Sequence, residues 1–72
     1  MILLVDAKEA ALAGRAVEQP WELFRLANYP GRDHEAAVAE LGEWARDNGM
    51  EIEFNQRQVN DLAVIYVLLT AR

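Results

Sequence analysis

Seventy-two residues leave room for one domain at most, and a chain this short buries only ~60% of the surface exposed when unfolded. The chain has no cysteine and one histidine, His34, which excludes disulfides, cysteine-dependent zinc sites and a His-rich metal centre. Twelve acids against seven bases give a net charge of −5, which speaks against a nucleic-acid backbone as main partner, because phosphate binding needs clustered Lys and Arg.

The opening stretch MILLVDA has no basic region before it, and Asp6 ends its apolar run, so it does not read as a targeting segment. Ile2–Val5 can form a short buried strand. Asp6, with Glu9 three residues on, resembles a capped helix start, and Gly14 is placed to end a helix over Ala7–Ala13. A rival reading runs one helix from Ile2 to Ala13. Residues 15–19 are ambiguous. Pro20 suits the first turn of a helix that carries Leu23, Phe24, Leu26 and Ala27 on one face, with Trp21 at its edge. Pro30-Gly31 then makes a turn.

Asp33 caps the next helix, Glu35 lies in its first turn and Gly49 follows its end. Ala37, Val38, Leu41, Trp44 and Ala45 fall on one arc; Glu40, Glu43 and Asp47 fall on the other. Gly42, near the boundary, would allow a close packing contact. MEIEF, residues 50–54, alternates strictly and predicts a half-buried strand. Asn55 is read as the cap of a last helix running to the C-terminus. Its second half, LAVIYVLLTA, has almost no polar side. The apolar run Leu62–Leu69 is eight residues, against about twenty for a membrane span. The fold expected is α+β and mostly helical. Three or four short helices would pack on a two-stranded ribbon of residues 2–5 and 50–54, with the C-terminal helix central. The alternative is a small all-α bundle.

Catalytic chemistry has little to stand on. There is neither Ser nor Cys, so the hydroxyls are those of Tyr29, Tyr66 and Thr70, and the glycines form no phosphate loop. Glu40, Glu43 and Asp47 form a single-sign stripe. It reads first as a solvated face and second as a docking surface for a basic partner. Paired-carboxylate catalysis would need a cleft that shifts their pKa values. Trp21 and Trp44, at the edges of their stripes, are core residues or interface anchors. Val64 and Leu68 are surplus apolar positions, covered within the chain or by a partner. His34, at a helix start, reads as a surface residue.

The expectation is therefore a non-enzymatic, cofactor-free acidic protein, soluble and cytoplasmic, acting by stoichiometric contact. Phage-type regulators and inhibitors of host proteins are of this size and charge. Its partner would be another protein or a second copy, met through Val64, Leu68, Trp21, Trp44, Glu40, Glu43 and Asp47. One alternative is a homo-oligomeric accessory subunit. Another is a helix-turn-helix reader using Asn55, Gln56, Arg57, Gln58 and Asn60 on the last helix, with only Arg57 nearby to meet phosphate.

Overall fold

Between Val59 and Leu62 the chain reverses within two residues, Asn60 (φ 50°) and Asp61 (φ 64°). Two successive left-handed residues make a type I′ turn, whose twist matches that of a hairpin, and Asn and Asp are the non-glycine residues that best tolerate it. This turn makes the C-terminal third a hairpin where a helix was expected. The computed structural model describes residues 2–72. Its elements are α1 (Leu4–Leu12), β1 (Val17–Pro20), α2 (Trp21–Asn28), α3 (His34–Asp47), β2 (Met50–Val59) and β3 (Leu62–Ala71). The class is α+β. A three-stranded antiparallel sheet of order β1-β3-β2 takes the place of the expected ribbon, so the chain is not mostly helical.

MEIEF does form a strand, and that strand continues through the expected helix cap at Asn55 to Val59. LAVIYVLLTA is the central strand, paired with β2 along its whole length and with β1 from Tyr66 to Leu69. Its β-branched and aromatic residues suit that position. β1 arises from the stretch that was ambiguous in sequence. Pro20 closes it with φ −57° and caps α2 from outside, rather than occupying the first helical turn.

Ile2–Val5 is not a strand, and α1 starts at Leu4. Asp6 lies in the first turn of α1 and does not cap it. The exposed amide of Leu4 is instead met by Asn28 from α2, whose Oδ1 accepts at 3.0 Å. The same side chain donates through Nδ2 to the carbonyls of Ile2 (3.0 Å) and Phe24 (3.1 Å). At the other end Gly14 takes φ 83°, while Arg15 N–H reaches Ala10 O and Gly14 N–H reaches Ala11 O, a Schellman ending. In α3 the Asp33 carboxylate accepts from Ala36 N–H at 2.8 Å, as the sequence implies.

All three helices lie on one face of the sheet. Met50, Val67, Leu69 and Val17 point toward them and join Ala7, Ala11, Trp21, Phe24, Ala37, Leu41 and Ala45 in the core. The short axis of the molecule is 17 Å, the depth of one helix layer on one sheet. Gly42 makes no close approach: a methyl group there would meet nothing within 4 Å.

Candidate interaction surface on the open face of the sheet

Alternation in β3 turns Val64, Tyr66, Leu68 and Thr70 away from the helices. They form a half-buried stripe down the middle of the uncovered face. Leu68 stands directly between two acids, Glu18 of β1 on one side and Glu53 of β2 on the other. Glu51 faces Thr70 one position along. Three carboxylates thus rim the Leu68–Thr70 end of the stripe. At the middle, Arg57 of β2 crosses over Tyr66, its guanidinium 5.1 Å from the ring centroid, and meets the Glu18 carboxylate at 2.6 Å. The pair spans all three strands and covers the tyrosine ring.

Beyond Tyr66 the β2–β3 hairpin outruns β1. Its far end exposes Val59, Leu62 (68% exposed) and Ile65. Between this arm and the start of α2 lies a cavity lined by Pro20, Trp21, Glu22, His34, Ala63, Val64 and Ile65.

The seven side chains singled out from sequence do not form one surface. Val64 and Leu68 share the open face, because residues four apart coincide on a strand as they nearly do on a helix. Glu40, Glu43, Asp47 and Trp44 belong to α3, in the layer on the other side of the sheet. There Glu40 pairs with Arg32 at 3.0 Å, Glu43 and Asp47 are exposed, and Trp44 packs against the core. Trp21 is 1% exposed and belongs to the core. It stacks on Phe24 (6.1 Å) and meets Phe54 edge-on (5.1 Å). Its Nε1–H donates to His34 Nδ1 at 2.8 Å, so His34 is the polar cap of a buried tryptophan. Nothing in the local sequence links residues 21 and 34. Glu18, Glu51, Glu53, Tyr66 and Arg57 were also missed as neighbours of Leu68, because strand register joins them.

Asn55, Gln56, Arg57, Gln58 and Asn60 lie in β2 and its turn, so no helix presents them to a groove. A different helix pair, α2 and α3, is joined by the turn at residues 29–33 and followed by the β2–β3 hairpin. That is the connection order of a helix-turn-helix with a hairpin wing. The exposed side of α3 carries Glu35, Glu43 and Asp47 against a lone Arg46, the wrong charge for phosphate. Among the described residues no helix is long and apolar enough to cross a membrane.

Comparison with family models, with curated proteins and with solved structures gives no match.

Proposed function

We propose that this chain is a stoichiometric protein-binding module, and that the open face of its sheet is the binding surface. The observation that carries the reading is Leu68, an apolar side chain flanked on both neighbouring strands by glutamate. That arrangement suits a partner that lays an aliphatic contact on the stripe and places Lys or Arg against Glu51 and Glu53, beside the Glu18–Arg57 pair. Apolar area supplies affinity and the acidic rim supplies orientation and on-rate. The same acids oppose face-to-face packing of two copies, since each rim would meet its like. On this reading the protein regulates or inhibits a host protein by occupying it, in the cytoplasm and without catalysis.

The test is capture from native cell extract with the bead-bound chain, wild type against Leu68→Lys. A lysine at position 68 sits between Glu18 and Glu53, so it keeps the sheet while neutralising the rim. A protein retained by wild type, lost with Leu68→Lys and weakened by salt is the expected result. Equal capture by both chains would sink the reading.

A further inference from the structure

The two edges of the sheet are built differently. β1 is a four-residue edge closed by Pro20, whose missing N–H blunts it against further pairing. β2 is a ten-residue edge with an unbroken register, no proline, no lysine and no bulge. In a hairpin closed by a two-residue turn the flanking pair, here Val59 and Leu62, is hydrogen-bonded. The odd-numbered residues of β2 therefore spend their backbone groups on β3. The N–H and C=O groups of Ile52, Phe54, Gln56 and Gln58 point outward along an open edge. Phe54, 37% exposed, sits in the middle of it.

We propose that β2 pairs antiparallel with β2 of a second copy, about a two-fold axis at Asn55, giving one continuous sheet across two chains. The outward backbone groups require even residues to face even residues, which leaves few registers, and charge separates them. Centring the pair on Asn55 sets Phe54 against Gln56 of the other chain and Ile52 against Gln58. It sets Glu53 of each chain opposite Arg57 of the other, at positions where side chains approach most closely, so the guanidinium that meets Glu18 within its own chain gains a second carboxylate across the axis. Centring on Glu53 stacks two glutamates. Centring on Phe54 also sets Glu51 against Arg57, but it carries the hairpin tip onto the α3–β2 turn, with Asp61 on the side of Asp47 at the end of α3. Centring on Gln56 sets Glu51 against Asp61. Of the two registers that join opposite charges, the Asn55 register is the one that keeps Asp61 away from Asp47. The interface uses the edge and takes up only Glu53 from the acidic rim, so Leu68, Glu18 and Glu51 of both chains lie side by side on the same surface of the joined sheet.

The absence of cysteine makes the register directly readable. In a two-fold pair centred there, the Asn55 Cα atoms come within disulfide range. Mild oxidation of Asn55→Cys is expected to give a covalent dimer, and Glu51→Cys is expected to give none. Wild type should sediment at the mass of two chains. Gln56→Pro removes an outward N–H that no intrachain bond uses, and should sediment as one chain with an unchanged far-ultraviolet circular dichroism spectrum. Glu53→Arg should weaken the dimer by about tenfold or more, and mixing it with Arg57→Glu should restore pairing between the two variants. Leu68→Lys should remain dimeric. A wild-type chain that stays monomeric at sub-millimolar concentration overturns the proposal. So does a dimer that Gln56→Pro leaves intact while Leu68→Lys dissolves it. Should Gln56→Pro fail to fold, cross-linking decides: an Asn55→Cys chain that dimerises but forms no disulfide also overturns it.

Discussion

The fold shifts the acidity of Tyr29. Burial first, and the nearby Glu40 charge second, push its hydroxyl above the ordinary value of 10.0. That hydroxyl has no hydrogen-bond partner among the described residues. A raised folded value means its contribution to stability is intact below pH 10.0 and is lost as pH climbs through the folded value. Tyr29→Phe should therefore be neutral or stabilising at neutral pH and should move the alkaline unfolding midpoint upward. Parallel alkaline losses in both chains, followed by circular dichroism, would contradict this. Asn28 is the opposite case, with every polar atom of its side chain engaged. Asn28→Ala removes the cap of α1 and its tie to α2, and should cost about 1–2 kcal/mol, measured as a lower urea midpoint at constant slope. The need for a cap near the start of α1 could be inferred from sequence. That the cap comes from 24 residues away could not.

At the scale of elements, the hairpin turn is the most informative place to intervene. Asp61 holds φ 64° at a position where glycine carries no steric penalty. Asp61→Gly should stabilise the protein by about 0.5–1 kcal/mol, and Asp61→Val should destabilise it, because a β-branched residue is strained there. Equal melting temperatures for the two variants would mean that the turn does not limit stability. The same turn explains where sequence reading failed. Asn55 followed by Gln58 resembles a capping box, and Val59, Leu62, Ala63, Tyr66 and Leu69 sit at helical spacing. A run apolar on all sides satisfies both periods, and Asn60-Asp61 is a weaker hairpin signal than Asn-Gly. By contrast α3 was legible because its cap, stripe and final glycine agree, and MEIEF because its alternation is strict.

The whole molecule is one sheet with helices on one side, so its two broad surfaces differ in kind. The helix side carries the acidic stripe of α3; the sheet side carries an apolar stripe with an acidic rim. Although the α2–α3 pair and its hairpin follow the order of a winged DNA reader, the charge on α3 opposes phosphate. The chain is expected to pass through a DNA column without salt-dependent retention; retention that fades with salt would overturn the electrostatic argument.

The sequence by itself determined the α+β class, the α3 helix with its cap, the first half of β2 and the acidic, cysteine-free chemistry. These follow from local spacing, capping and composition. Only the tertiary structure decided that the C-terminal run is a central strand, that Trp21 is buried under His34, and that the acids of α3 and the Val64–Leu68 pair lie on opposite sides. Those depend on which strands pair and in what register, and pairing joins residues far apart in the chain.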